Sequence, residues 1–250
     1  MRKKKKEREK MRGELYFESD VVGLSASRRG SYSRREECGY AALCGTAEDG
    51  TRYVTLTDYD PEDGDALAAA VLREFGRFLR DAGIKDPRSV LVAGIGNGRI
   101  EADSLGTLAS ERVGVGETER GIRVFSFAPG VPEATGIETE VLVPALARLV
   151  SADLLVAVDS LAALSPDRLF RAVQISGGAR PGSGVVKGAG AIGSNESGCP
   201  VLTVGVPTAV RGRLSRGGDS AEGLFTSCDA GSGIVFHAAA LAAAINGYCR

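Results

Sequence analysis

The chain's pattern predicts an α/β fold: a mostly parallel twisted sheet with helices on both faces and an antiparallel hairpin at one edge. Three observations lead there. Short apolar runs bounded by glycines and turn formers recur at residues 89–94, 154–158 and 200–206, each the length of a buried strand. Stretches of helical periodicity alternate with them, and ahead of them two β-rich runs flank a turn containing Asp49-Gly50. With 250 residues, 43% of them hydrophobic, the chain can bury one sizeable core, and 34 glycines without tryptophan suit tight turns between strand and helix.

Residues 1–12 carry eight Lys or Arg against Glu7 and Glu9, with no apolar segment behind them, which is not the pattern of a secretory signal. Residues 13–36 stay polar and serine-rich, so order is expected to begin near Glu37. The domain reading is therefore a basic, disordered segment over 1–36, able to serve as a pro-segment, and a single α/β domain over 37–250. Two β-rich runs follow at 39–45 and 51–57. An acidic loop, 58–63, leads into a helix over about 65–82, where Leu67, Val71, Phe75, Phe78 and Leu79 form one apolar stripe and Gly83 is placed to end it. After the strand at 89–94 comes another at 122–127. A helix over 136–150 follows, with Thr135 as its cap, Glu138 and Glu140 near its positive end, and Pro144 kinking it or marking its true start. The third run, 154–158, precedes a short helix at 167–173 and a glycine-dense loop at 177–193. The strand at 200–206 and an alanine-rich helix at 232–248 complete the chain.

Two of the buried-strand runs lead to an aspartate followed by Ser-Leu and a small residue. Asp103 stands in Asp103-Ser104-Leu105-Gly106, a few residues beyond the first run, and Asp159 in Asp159-Ser160-Leu161-Ala162, directly after the second. Ligands of open α/β sheets gather at the carboxyl ends of strands, so both carboxylates are expected in one cleft at that edge. Two carboxylates in a partly dry cleft cannot both ionise cheaply; one pKa rises and the pair can share a proton, one acting as general base and the other as general acid.

Other chemistries find less support. A net charge of −1 shows no overall bias towards nucleic acid. Gly94, Gly96 and Gly98 do not match Gly-x-Gly-x-x-Gly and no Gly-Lys-Ser/Thr follows, which excludes a nucleotide loop. The five cysteines are scattered, odd in number and without a Cys-x-x-Cys pair, reading as free thiols in a reducing compartment. The acidic loop reads as a solvated turn with a helix cap and not as a metal site. His237, the one histidine, lies in the alanine-rich helix with no nucleophile pattern near it.

The segments Ala128-Pro129-Gly130-Val131, Ala134-Thr135-Gly136-Ile137-Glu138-Thr139, Val158-Asp159-Ser160-Leu161-Ala162, Gln174-Ile175-Ser176, Pro181-Gly182-Ser183-Gly184-Val185 and Val204-Gly205-Val206-Pro207-Thr208 stand in one order. In that order they resemble the spore germination protease family, endopeptidases that degrade small acid-soluble spore proteins. The resemblance covers about 90–210 and implies a fold similar to the hydrogenase maturation proteases. It also implies an aspartic-type endopeptidase whose two catalytic aspartates lie in Asp-Ala-Leu-Gly and Ile-Asp-Ala-Leu-Ala motifs, which correspond here to Asp103 and Asp159. From the same resemblance come a precursor that loses a short N-terminal segment by self-cleavage, within 11–20 here, and a homotetramer. A cytoplasmic location in the forespore or spore core also follows, with no cofactor or metal, no membrane and no direct nucleic-acid binding.

The chain departs from the family pattern at four places, one of them a region after Thr208 that is shorter than usual. The N-terminal Thr-Asp-Leu-Ala-x-Glu motif is reduced to Ser19-Asp20-Val21-Val22, the Arg that closes the second aspartate motif is Leu164, and a Gly-Asn-Lys-Arg stretch has become Val186-Lys187-Gly188. These departures leave an alternative, a non-proteolytic relative acting as a binding or scaffold protein.

Overall fold

A computed structural model describes residues 10–16, 19–20, 27–47, 51–163, 165–178, 197–216 and 219–250. Twelve strands form one mixed sheet: β1 Lys10–Tyr16, β2 Ser19–Asp20, β3 Ser27–Glu37, β4 Tyr40–Ala47, β5 Arg52–Thr57, β6 Ser89–Gly94, β7 Gly116–Glu117, β8 Arg123–Phe127, β9 Leu154–Ala163, β10 Val173–Gly178, β11 Val201–Arg216 and β12 Asp219–Phe225. Their order across the sheet is β1-β3-β4-β5-β10-β11-β9-β6-β8-β7, with β12 pairing β11 and β2 pairing β9.

Parallel pairing is confined to the four central strands β8, β6, β9 and β11. β6, β9 and β11 hold the apolar runs read from the sequence, whereas in β8 only Val124 is fully buried. β6 and β9 are buried at every position, as strands covered on both faces must be. The antiparallel hairpin β4–β5 lies outside that centre, and the sheet continues beyond it through β3 and β1. Strands therefore begin well before Glu37. β3 is polar and shows no apolar alternation; its order comes from pairing with β4 over residues 30–37.

Helix α1, Gly64–Asp81, buries Leu67, Val71, Phe75, Phe78 and Leu79, the stripe read from its periodicity. Asp63 caps it, its carboxylate accepting from the Ala66 N–H at 2.8 Å, and Gly83 follows its end with φ +75°. A six-residue helix α2, Leu105–Ser110, follows β6. A separate short helix that the sequence did not suggest, α3, Pro132–Thr135, precedes the helix expected over 136–150, which is α4, Thr139–Leu149. Thr135 closes the first instead of capping the second, its hydroxyl accepting from the Ile137 N–H, and Pro144 stays inside α4. The helix expected at 167–173 is only a 3-10 turn, Pro166–Arg168, because Val173 is already in β10. Gly177 and Gly178 likewise belong to β10; the rest of the glycine-dense loop, including 186–188, lies outside the described residues. The last helix, α5, Ala230–Cys249, is long and apolar enough to cross a membrane by length and composition. Here it packs on α1 and α2 and supplies Ile234, Leu241 and Ile245 to the core. That core covers one face of the sheet; the other is covered by α4 through Val143 and Ala147.

Candidate active site

β6 ends at Gly94, where its register partner on β9 is Val158, and the last tie is the Ile95 N–H to the Val158 carbonyl at 2.8 Å. The chain then turns back over the strand end. Gly96 takes φ +115°, and a Cβ there would collide with the Asp103 carbonyl. Gly106 lies so close to Ile95 and Val158 that a Cβ would strike both carbonyls. With side chains at these two positions, the 3-10 turn Glu101–Asp103 and α2 could not settle onto the ends of β6 and β9.

Asp103 is thereby held above the carboxyl end of β6. Its Oδ2 accepts from the Asn97 N–H at 2.7 Å. Burial pushes the carboxyl above its ordinary value, and the Asn97 bond opposes that only in part. A carboxyl that keeps its proton to higher pH is suited to donate one.

Asp159 is not the last residue of its strand, as its place after the apolar run suggested. β9 continues to Ala163, and Asp159 is only 4% exposed. It is, however, the first residue of β9 beyond the pairing with β6, and its Oδ1 accepts from the Ser160 N–H at 2.8 Å. Asp103, on the turn that follows β6, and Asp159, within β9, therefore both lie where the pairing of β6 with β9 ends, and the turn carrying Asp103 packs against β9, β11 and α5.

A contact that spacing did not reveal holds this turn. The register of β11 on β9 slips between Pro207 and Ala209, leaving Thr208 as the extra residue of a bulge. Thr208 is fully buried, and its Oγ1 donates to the Ala102 carbonyl at 2.6 Å, one residue before Asp103. Its own carbonyl accepts from Thr226 Oγ1 at 2.6 Å. The sequence signal was the Pro207-Thr208 pair in mid-strand, since proline inside a ladder marks an edge or a bulge.

His237 is buried among Tyr59, Phe170 and Phe236. Its Nδ1 donates to the Gly233 carbonyl at 2.7 Å and its Nε2 accepts from Tyr59 Oη at 2.8 Å. Burial lowers its pKa, so both nitrogens of a neutral ring are occupied. Tyr59 and Phe170 form one wall of a cavity of about 280 Å³ that Arg34, Arg168 and Arg171 also line. In the acidic loop Asp63 caps α1, and among the described residues no three His, Cys, Asp or Glu side chains come together as a metal site. Leu164 lies outside the described residues.

Comparison with known proteins places this geometry among relatives. The sequence model of the germination protease family matches residues 48–215. The germination protease of Bacillus subtilis strain 168 is 34% identical over 175 residues, 64% of this chain and 48% of that protein. That of Priestia megaterium is 34% identical over 175 residues, 64% and 47% of the two chains, and that of Geobacillus sp. WCH70 36% over 149 residues, 55% and 40%. The chain thus spans about half the length of the curated relatives it matches. Among solved structures, the [NiFe] hydrogenase maturation protease HycI from Thermococcus kodakarensis superposes with a TM-score of 0.43 at 20% identity, covering 69% of this chain and 98% of that one.

Proposed function

The chain belongs to the germination protease family, and from that premise we propose that it hydrolyses peptide bonds with water activated between Asp103 and Asp159. The observation that carries this reading is the placement of Asp103. It is a partly buried carboxyl with a raised pKa, held over the end of β6 beside the one position of β9 where a buried aspartate emerges from the β6 pairing. In the proposed reaction Asp159, the more buried carboxylate, takes a proton from water as it attacks the amide carbon. Asp103 gives its proton to the leaving nitrogen. The tetrahedral intermediate collapses to a carboxylic acid and an amine, and the proton that Asp159 took from water passes by way of solvent to Asp103, which restores the starting state.

The substrate class proposed is the small acid-soluble spore proteins, and the setting is the cytoplasm of the forespore or spore core. A homotetramer is proposed as the working form. Removal of an N-terminal segment is proposed within 11–20.

The test is to incubate the full chain with a purified acid-soluble spore protein, with and without a chelator, and to resolve the products on a gel. Discrete fragments that survive chelation support the reading. Binding without cleavage would replace it with the scaffold alternative, and loss of cleavage on chelation would overturn the metal-free chemistry.

A further inference from the structure

A strand in a sheet has two edges. Along one, β9 is paired with β11 from Leu155, opposite Val201, to Ala163, opposite Val210. Along the other it is paired with β6 only as far as Val158, because the chain turns away after Gly94 into the loop that carries Asp103. From Asp159 onwards β6 no longer runs along that second edge. The short strand β2 enters there, antiparallel, with Asp20 opposite Leu161 and Ser19 opposite Ala162. Since β11 holds the first edge at both positions, β2 lies on the edge that β6 leaves.

We propose that this edge of β9, at Leu161 and Ala162, is the docking site for an extended peptide substrate, which adds as an antiparallel strand where Ser19–Asp20 now lies. An open strand edge presents unpaired N–H and C=O groups at fixed spacing, and an extended chain satisfies them by main-chain bonds whatever its side chains. The register gives the direction. In an antiparallel pair each step forward on the peptide is a step back on β9. A residue two places C-terminal to the one opposite Leu161 therefore stands opposite Asp159. The residues on the N-terminal side of the scissile bond lie along Leu161 and Ala162, and the bond itself reaches the aspartates. The chain's own segment and the substrate compete for one edge. The inference rests on the peptidase reading for its substrate but not for its geometry.

A labelled synthetic peptide with the sequence of residues 16–24 probes the site by fluorescence polarisation. It is titrated into the full chain and into the full-length Ser19→Pro/Asp20→Pro variant, whose prolines remove the N–H groups β2 can offer. The variant is expected to bind the peptide more tightly, by about tenfold if the segment covers the edge nine-tenths of the time. The same peptide N-methylated at the residues matching Ser19 and Asp20 is expected to lose that binding. Equal affinity for the two chains, or undiminished binding of the methylated peptide, overturns the proposal. Adding Asp103→Asn to the proline variant separates the two ideas. Docking must persist in it, whereas failure of the proline variant to cleave a peptide it binds would count against the two-aspartate chemistry alone.

Discussion

Asp103 and Asp159 stand in the same kind of motif, but the fold gives them different surroundings. Asp103 has its pKa raised by burial, so it holds its proton more tightly in the folded chain than in the unfolded one. As pH climbs from the ordinary value of 3.8 through the raised one, the unfolded form ionises first, folding stability falls, and above that interval it stays lower. Asn cannot ionise and can still accept from the Asn97 N–H. Asp103→Asn is therefore expected to melt higher than the parent at neutral pH, with the difference closing as the pH drops below 3.8, as scanning calorimetry at several pH values would show. Thr208 acts through Asp103. Thr208→Val removes the Oγ1 bond to the Ala102 carbonyl while keeping the side chain's shape, and a displaced catalytic group costs on the order of 10- to 100-fold. We expect that loss in kcat, with KM little changed and activity retained in Thr208→Ser; a fall in KM-dependent binding alone would speak against it. The sequence put both aspartates beyond buried runs; Asp103 does follow its strand, whereas β9 continues past Asp159 to Ala163. Thr208 was legible only as part of a family segment, because a bulge is a property of pairing, and pairing partners distant in sequence leave no periodic trace.

At the level of elements, α1 and α5 were readable because an apolar stripe or an alanine-rich run depends only on local spacing. β3 was not, and the reason lies in what holds it. Arg35 on β3 reaches across to α1, where Glu74 is fully buried and accepts from Arg35 Nη2 at 2.5 Å, Arg77 Nη1 at 2.7 Å and Tyr40 Oη at 2.8 Å. Glu37 joins through Arg35 and Arg77. A polar strand is thus tied to a helix by ion pairs between residues 39 apart, which no local pattern announces. Arg35 and Arg77 are part-exposed and keep Glu37 as a partner, so removing Glu74 mainly strips the buried Tyr40 hydroxyl of its acceptor, a cost of about 1–3 kcal/mol. Glu74→Ala is expected to lose stability in that range by urea unfolding, and Glu74→Gln less, since the amide oxygen still accepts from Tyr40. A change under about 0.5 kcal/mol, the usual size for a surface substitution, would show that the cluster does not hold β3.

Over the whole molecule the sequence pointed to an α/β sheet, and part of the sheet has that form: β8, β6, β9 and β11 run parallel, with Asp103 on the turn after β6 and Asp159 within β9, just beyond its pairing with β6. Less legible was how far antiparallel strands extend to either side, since β11 continues to Arg216 and pairs with β12, an extension that composition does not distinguish from loop. In the proposed reaction peptide bonds are cut where β6 leaves β9, and the two aspartates act there as one unit. The most direct measurement is kcat/KM for peptide cleavage by Asp103→Asn, Asp159→Asn and the double variant, each confirmed folded by circular dichroism. General acid and base contributions are typically on the order of 10²–10⁴-fold. Each single variant should lose at least that much, and the double no more than the worse single, because either half is useless without the other. Near-parent activity in either folded single variant, or losses that multiply in the double, would contradict it.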